Sequence, residues 1–341
     1  MIPPRANPEL FGHENALRAL DGLYRAGRLP HAILLAGPRG IGKATLAFRF
    51  ARSLLSATGD AGPESGVFRR IAAGSHADLL TIERALDPRR GRLKSEIGVE
   101  EARAAALFLR MTAAEEGWRI VIVDGAEEMT RNAQNALLKI LEEPPPRSLL
   151  LLLSHNPGRL LPTIRSRCRS VLLAPLPAAL VSRLVARIEP QIEEEEREAL
   201  ALLAQGSIGR ALDLAAAGGL ALYRSFLDLL SGVPRLDLGA LHAFADKLAR
   251  SGEEDTFRLA EELILELVAR IAVAAASGER EREILPGEGR VLAALAAKSD
   301  GSQWALVHQK IDRGFARLRG FNLDRKQAIL AAFFAIEEAA Q

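Results

Sequence analysis

The sequence predicts an α/β fold, a parallel sheet with helices on both faces and a phosphate-binding loop (P-loop), followed by helices only. Residues 1–172 alternate short apolar runs with segments of helical apolar spacing, which is the order of a parallel sheet covered by helices. A glycine-rich loop at residues 37–43 lies between one such run and a helix-like segment. From Pro175 onward the strand-like runs disappear. These three observations together predict the fold class.

The individual elements follow from apolar spacing. Apolar runs predict strands at 32–36, 78–82, 119–123, 149–153 and 170–173. Helical spacing predicts helices at 14–26, 43–57, 99–110 and 130–142. Two stretches rich in Gly, Pro, Ser and Arg, 58–75 and 84–98, are predicted to be loops.

The chain is predicted to form three domains. The glycine pair Gly218-Gly219 is interpreted as a linker between two helical stretches. The predicted domains are a P-loop domain at residues 1–173, a small helical unit at 174–217 with helices at 178–188, 193–204 and 208–216, and a helical C-terminal domain at 220–341.

Composition narrows the function classes. The net charge of +2 gives little reason to expect direct electrostatic binding of nucleic acid. The single cysteine, Cys168, excludes an intrachain disulfide and a thiolate zinc cluster, and it fits a reducing compartment. No apolar run is long enough to span a bilayer, and no secretory signal opens the sequence. The chain is therefore expected to be cytoplasmic, with no membrane partner.

The P-loop carries the strongest chemical signal. Gly37, Gly42 and Lys43 meet the pattern Gly-x-x-x-x-Gly-Lys, in which backbone N–H groups and a helix N-terminus hold phosphates and the lysine reaches the terminal ones. The next residue should be Ser or Thr, whose hydroxyl holds Mg²⁺, but it is Ala44. The loop therefore predicts binding of ATP or ADP with weakened or lost hydrolysis. The alternative is a glycine-rich turn without a ligand.

Two further strand ends supply candidate residues. The strand that ends in Asp124 is typical of a site where an aspartate positions Mg²⁺, although a helix cap is the alternative role. In an ATPase a glutamate follows, but here it is Gly125, with Glu127 and Glu128 displaced along the chain. Ser154, at the tip of the next strand, is expected to face the phosphates unless it is a surface loop serine. The candidate nucleotide-binding residues are Gly37, Gly40, Gly42, Lys43, Thr45, Asp124 and Ser154.

Three arginines in five residues, Arg165, Arg167 and Arg169, form a second candidate site. A cation presented to a neighbouring subunit's nucleotide stabilises the charge of the transition state. Arg167 is our candidate for this arginine finger in trans, and a solvated basic turn is the alternative.

Longer motifs place these residues in a family. The segment from Asn135 to Pro145, followed by Ser166-Arg167-Cys168, resembles the bacterial clamp-loader branch of the AAA+ ATPases. The segments 74–78 and 97–100 resemble the same branch. The resemblance covers roughly residues 8–215, and the C-terminal third agrees only in being helical and of suitable length.

The resemblance implies an AAA+ domain, a small helical lid and a C-terminal collar that assembles five subunits into an open ring. The ring uses ATP to open the sliding clamp and place it on primer–template DNA. The implied partners are the motor subunits, the delta subunit and, through the complex, clamp and DNA. A member with Ala44 and Gly125 is implied to be a non-hydrolysing subunit whose Arg167 projects into a neighbour's ATP site.

This sequence departs from the family's motor pattern in two places. Motor subunits carry a cysteine-rich zinc module after the P-loop helix, but residues 58–75 contain no cysteine, so no zinc is expected. The motor's nucleotide-sensing arginine aligns with Gly209, while Arg210 lies one residue later and is turned by about 100° on a helix.

Two other functions stay open at this point. A hydrolysing motor subunit, or a related AAA+ DNA-remodelling ATPase, is favoured by Lys43, Asp124 and Thr45. The joint loss at residues 44, 125 and 209 argues against it. A duplex-DNA-binding protein with a decayed nucleotide fold is the third reading, and the weak net charge argues against it.

Overall fold

The computed structural model describes residues 2–56, 62–87, 92–115, 117–250, 254–278, 282–321 and 324–341. The chain divides into two compact units. The first unit comprises Met1–Leu184 and Gln205–Gly209, and the second comprises Val185–Ala204 and Arg210–Gln341. The domain boundaries at 173 and 217 stay predictions.

A parallel sheet forms the centre of the first unit. The strands are β1 Ala32–Ala36, β2 Leu79–Ile82, β3 Leu86–Asp87, β4 Arg92–Leu93, β5 Arg119–Asp124, β6 Ser148–Ser154 and β7 Arg169–Leu172. Five of them pair in the order β2-β5-β6-β1-β7, and every pairing in this sheet is parallel. The five predicted strands match these five to within one residue at each end. The predicted parallel sheet is therefore confirmed.

Helices cover both faces of this sheet. They are α1 Glu14–Arg25, α2 Lys43–Leu55, α3 Gly66–Ala72, α4 Val99–Arg110, α5 Arg131–Glu142 and α6 Pro162–Arg165, and α7 Ala178–Ile188 follows the last strand. Alternate strand residues enter two separate cores, since Leu34 belongs to the core with α4 and α5 while Ile33 and Leu35 belong to the core with α2. This division follows from the two-residue period of a strand. All five residues of β1 are buried.

Two loop predictions were wrong in part. Stretch 58–75 contains α3, because Ser65 caps the helix by accepting a hydrogen bond from the Phe68 N–H at 3.1 Å, and Phe68 and Ile71 are buried. Stretch 84–98 contains the short antiparallel pair β3–β4, in which Leu86 lies opposite Leu93. In α3 the buried side chains outweigh the local turn-forming composition, whereas Leu86 and Leu93 of the β3–β4 pair are exposed. Residues 57–61 and 88–91 lie outside the described part.

The rest of the described chain is helical, as predicted. The helices are α8 Glu194–Leu203, α9 Ile208–Ala216, α10 Gly219–Leu230, α11 Leu238–Arg250, α12 Glu254–Ser277, α13 Glu288–Ala296, α14 Gly301–Phe321 and α15 Arg325–Ala339. The linker prediction at Gly218-Gly219 was wrong for Gly219, which is the first residue of α10. In the ranges described, none of the helices combines the length and the hydropathy that crossing a membrane requires.

Candidate functional site

The register of the sheet brings three predicted site segments to one edge. Asp124 lies opposite Leu153, and Ser154 lies opposite Ala36, the residue before the P-loop. The Gly37 N–H donates a hydrogen bond of 3.1 Å to the Ser154 carbonyl oxygen. The carboxyl ends of β1, β5 and β6 therefore meet, which is where parallel sheets bind ligands.

The P-loop has the backbone that phosphate binding requires. Gly40 and Gly42 have φ angles of +75° and +104°, values that side-chain-bearing residues rarely adopt. Gly42 immediately precedes α2, so the loop delivers its N–H groups to the start of that helix. Such a loop at a helix N-terminus attracts anions.

The side chain of Lys43 is hydrogen-bonded to the backbone of the P-loop. Its Nζ donates to the Gly37 carbonyl oxygen at 2.8 Å and to the Pro38 carbonyl oxygen at 2.7 Å. An ammonium has three donors, so one remains for a phosphate oxygen. Burial lowers the Lys43 pKa, and the carboxylates of Glu127 and Asp124 oppose that shift. Since the loop, the helix start and the third donor all suit an anion, the residues present fit a nucleotide's phosphates.

The residues around the P-loop offer fewer ligands to Mg²⁺ than they offer donors to a phosphate. Ala44 is half-buried and packs against the core of α2, so it offers no hydroxyl, and Thr45 is half-buried one residue further along. Among the residues that the structure describes, no group of three or more His, Cys, Asp or Glu side chains could hold a metal ion. A nucleotide's metal would therefore lack the P-loop ligand.

The backbone at the position after Asp124 would be strained by the missing glutamate. Gly125 has a φ of +78°, and a Cβ there would lie 2.6 Å from Glu128 Oε2. That carboxylate also pairs with Arg84 Nε at 2.9 Å. Burial raises the pKa of Asp124, and the nearby Lys43 opposes the rise.

Ser154 and Glu127 lie at the same edge of the sheet. Ser154 is fully buried, and its Oγ accepts a hydrogen bond of 3.2 Å from the Asn156 N–H, so it is not a surface loop serine. Beside it, Glu127 is 3% exposed and accepts a hydrogen bond of 3.0 Å from the His155 N–H. The same carboxylate pairs with His155 Nδ1. Sequence reasoning missed this pair, and a histidine directly after the strand tip was the available signal.

The arginine cluster lies at the end of α6. Arg167 donates from Nη1 to the Thr163 carbonyl oxygen at 3.0 Å and pairs through Nη2 with Glu142 of α5 at 2.8 Å. Its side chain is 36% exposed, and Arg165 and Arg169 are exposed. Burial raises the pKa of the Cys168 thiol to about 11, so this cysteine stays a thiol. The contacts of Arg167 are with α5 and α6, so the structure does not bring it together with the P-loop residues of its own chain.

Gly209 lies directly against the P-loop. Its N–H donates to the Gly40 carbonyl oxygen at 3.0 Å, and a Cβ at 209 would lie 2.9 Å from Gly40 Cα. Any side chain there would displace the loop, which explains the glycine. Arg210 belongs to the second unit, where it lines a cavity of about 290 Å³ with Glu262, Leu265, Glu266, Ala269 and His308.

Sheet, loop and strand ends define a P-loop domain of the AAA+ class. The motifs quoted from the sequence resemble, within that class, the delta-prime subunit of DNA polymerase III. Residues 12–177, just under half of the 341 residues, match the model of the family described as DNA polymerase III, delta subunit. The resemblance predicted from the motifs is thereby confirmed.

Individual relatives agree with this assignment. The chain is 42% identical over 182 residues to DNA polymerase III subunit delta' of Pseudomonas aeruginosa, covering 52% of this chain and 53% of that one. It is 36% identical over 194 residues to subunit delta' of Escherichia coli, covering 56% of each. It is 33% identical over 218 residues to subunit tau of E. coli, covering 62% of this chain and 32% of that one. The matches therefore span about half the length of the delta' relatives.

Proposed function

We propose that this chain is a delta-prime-like subunit of the DNA polymerase III clamp loader. In this role it joins motor subunits and a delta subunit in a cytoplasmic hetero-oligomer that uses ATP to place the sliding clamp on primed DNA. It binds ATP or ADP at the P-loop without hydrolysing it efficiently, and it supplies Arg167 to a neighbouring subunit's nucleotide. The helical residues 220–341 form the collar that drives assembly, and residues 174–217 form the lid.

The proposal depends mainly on one observation. The P-loop has the groups that bind phosphates, but the residues at positions 44 and 125 lack the side chains that hydrolysis requires. Lys43 is hydrogen-bonded to the P-loop, yet Ala44 lacks the metal-binding hydroxyl and Gly125 has a backbone conformation that would strain a glutamate. Hydrolysis depends on positioning the metal ion and the attacking water, so losing both groups removes most of the rate. A subunit that keeps the cradle and lacks these groups fits a role in assembly better than one as a motor.

The setting of Arg167 supports action in trans. It is partly exposed and lies at the end of a short helix, and among the described residues it pairs with the carboxylate of Glu142, itself 51% exposed. Exposed ion pairs contribute only about 0–1 kcal/mol, so a phosphate from a neighbouring subunit can replace this carboxylate at low cost. A guanidinium is also well suited to a phosphate's bidentate geometry.

Reconstitution tests the proposal. The full chain is mixed with candidate motor and delta subunits, the product is weighed by mass photometry, and ATP turnover is measured with clamp and primed DNA. We expect Arg167→Ala to join the complex normally and to lower turnover at the site it serves by about 10³- to 10⁵-fold, the range known for arginine fingers. Unchanged turnover of the Arg167→Ala complex would reject the trans role.

Glu142→Ala is the matched control, because it breaks the same ion pair but keeps the arginine. If folding or docking of α5 were the cause, both variants would lower turnover alike. The isolated chain is assayed in parallel with Lys43→Ala. Sustained turnover that Lys43→Ala abolishes would make this chain a motor, and failure to join any complex would reject the proposal as a whole.

A further inference from the structure

The second unit contains a groove of about 380 Å³ between α13 and the turn that follows α10. Its lining includes the buried Leu230 and Leu295, the half-buried Val233 and Val291, and the exposed Ala294. Ligand sites in proteins usually occupy about 300–1,000 Å³ and are lined mainly by apolar side chains. The groove is therefore large enough to receive side chains of a binding partner.

Two cations lie along the same groove without a carboxylate. Arg290 and Lys298 are exposed lining residues, and in the part of the chain that the structure describes neither forms an ion pair or a side-chain hydrogen bond. They are separated by eight residues. With a rise of about 1.5 Å per residue, their Cα atoms lie about 12 Å apart along the turns of α13. A partner with two anionic groups at a similar spacing can therefore pair with both.

The position of Arg290 favours an anion at one end of the groove. Arg290 lies in the first turn of α13, where the positive end of the helix dipole disfavours a cation. Its Nη2 nevertheless lies over the helix start, 3.7 Å from the point that a Cβ on Gly287 would occupy. Glu283 accepts the N–H groups of Gly287 at 3.1 Å and Gly289 at 3.2 Å, but among the described residues it does not pair with Arg290. An added carboxylate would interact favourably with the guanidinium and with the helix dipole.

Hydrogen bonds to α15 hold the segments next to the groove. The Leu236 N–H, shortly after the α10 turn, donates to Glu337 Oε1 at 2.9 Å. Ser299, directly after Lys298, donates from Oγ to the Ala339 carbonyl oxygen at 2.6 Å. Both walls are therefore attached to the same helix. A site with fixed walls loses less conformational entropy when it binds a partner.

We propose that this groove binds an extended segment of a partner protein with the pattern acidic-x-apolar-x-acidic. Side chains two residues apart on an extended chain point to the same face, so the apolar side chain and both carboxylates meet the groove together. Four residue steps span about 13 Å, close to the Cα spacing of the two cations. The carboxylates then pair with Arg290 and Lys298, and the apolar side chain contacts Val291 and Ala294.

The lining distinguishes a peptide from a nucleic acid. The same two cations could pair with phosphates, but the apolar side chains between them offer no hydrogen bonds to a sugar-phosphate backbone. They do suit the apolar centre of a protein interface with a charged rim. The inference goes beyond the proposed function, since it needs no nucleotide and no other subunit of a ring.

Peptide binding to the wild-type chain is the first test. The probe is a fluorescein-labelled peptide containing Glu-Ser-Leu-Ser-Glu, and fluorescence anisotropy measures its binding to the full chain. The control peptides are Gln-Ser-Leu-Ser-Gln, which lacks the charges, and Glu-Ser-Ser-Ser-Glu, which lacks the apolar side chain. We expect each control to bind about tenfold more weakly, because the ion pairs and the buried leucine both contribute to affinity. Added salt should weaken binding of the probe but not of the glutamine peptide.

Charge reversal locates the binding site. We expect the double variant Arg290→Glu with Lys298→Glu to bind the probe about tenfold or more weakly, since two attractions become repulsions. The matched control is Lys247→Glu with Arg317→Glu, which changes the net charge equally at two exposed cations outside the groove lining. This control should bind the probe as wild type does.

A second pair of variants tests the apolar part of the groove. Ala294→Gln places a longer polar side chain in the groove and should weaken binding of the probe. Ala293→Gln makes the same change at the neighbouring exposed residue of α13, which does not line the groove, and should leave binding unchanged. Melting temperatures show whether each variant is folded. The peptide comparison uses the wild-type chain, so it decides the inference even if a variant does not fold.

Four outcomes would overturn the inference. They are equal binding of all three peptides, equal binding of the probe by the two double variants, equal binding by the two alanine variants, and no saturable binding up to about 1 mM peptide. A single-stranded oligonucleotide that displaces the probe more effectively than unlabelled peptide would reject the peptide assignment in favour of nucleic acid. Assembly with candidate clamp-loader subunits is measured separately, so the proposed function can fail while this inference holds, and the reverse.

Discussion

At the carboxyl edge of the sheet, Glu127 is 3% exposed and one of its oxygens has no hydrogen-bond partner among the described residues. In the second unit, Glu288 is completely buried and both of its oxygens accept hydrogen bonds. Tyr223 OH donates to Oε1 at 2.6 Å and Arg270 Nε donates at 3.0 Å, while the N–H groups of Ile284 and Leu285 donate to Oε2. The hydrogen bonds to Glu288 offset the cost of burying its charge, whereas the unpartnered oxygen of Glu127 keeps its desolvation cost.

Substituting Glu288 is the most direct test of the contrast between Glu127 and Glu288. Glu288→Ala leaves Arg270 without its carboxylate and the buried Tyr223 hydroxyl without an acceptor, and we expect a loss of about 3–5 kcal/mol in the free energy of unfolding of the second unit. The measurement is urea unfolding followed by fluorescence in a Trp118→Phe background, where the fully buried Trp304 reports on the second unit alone.

Tyr223→Phe is the companion variant, because it removes one donor and keeps the charge pair. We expect it to cost only about 1 kcal/mol. If Glu288→Ala cost no more than Tyr223→Phe, the carboxylate would not organise this unit and the contrast with Glu127 would fail.

A second test concerns backbone contact at the sheet edge. Gly209→Ala places a Cβ 2.9 Å from Gly40 Cα, so either the P-loop or the 205–209 segment must move. We expect a loss of about 1–3 kcal/mol in the first unit, the usual cost of overpacking. Hydrogen exchange at the Gly209 amide, which donates to Gly40, should become faster.

Gly22→Ala provides the control within the same unit. Gly22 lies inside α1, and a Cβ there would meet nothing within 4 Å. This change should stabilise the first unit by about 0.5–1 kcal/mol, because alanine is the better helix former. A Gly209→Ala variant as stable as wild type, with unchanged amide exchange, would show that the contact with Gly40 does not constrain residue 209.

The two regions also differ in how far the sequence predicted them. Gly42, Lys43 and Asp124 lie in short local patterns, and the periods of the flanking segments were enough to place them at one edge of a sheet. Helical spacing likewise predicted the helices of the second unit. The Glu127–His155 pair and the contact of Gly209 with Gly40 could not be predicted in this way, because each joins residues distant along the chain and depends on β5 lying beside β6 or on where α9 begins.

The network around Glu288 shows the same limit. Tyr223, Arg270 and Glu288 come from three different helices, and nothing in the local sequence distinguishes them from the exposed Arg and Glu side chains of this unit. Similarly, α3 was predicted to be loop because its stabilising partners, the residues that bury Phe68 and Ile71, are remote in sequence. Local composition predicts secondary-structure elements well only where contacts with residues remote in sequence do not determine the structure.

The smallest effects are expected at two aspartates, one in each unit, whose pKa values are shifted in opposite directions. Burial raises the pKa of Asp124 above its ordinary value of 3.8, so the folded chain binds the proton more tightly than the unfolded chain does. Stability contributed by this group therefore falls as pH rises from about 3.8 through the raised value. We expect Asp124→Asn to melt at a higher temperature than wild type at pH 7, and the difference to vanish below that window.

Asp246 in the second unit should behave in the opposite way. The hydrogen bond from Lys326 Nζ, 2.9 Å long, holds the pKa of Asp246 below 3.8. Its contribution is present above 3.8 and is lost as pH falls through the lowered value, so Asp246→Asn should melt slightly lower than wild type at pH 7 and equally at low pH. Melting curves of both variants across pH check the signs. Because the Asp246 side chain is 35% exposed, solvent screens its ion pair and its effect should be the smaller one. An Asp124→Asn variant that melts lower than wild type at pH 7 would mean that the ionised Asp124 stabilises the edge of the sheet.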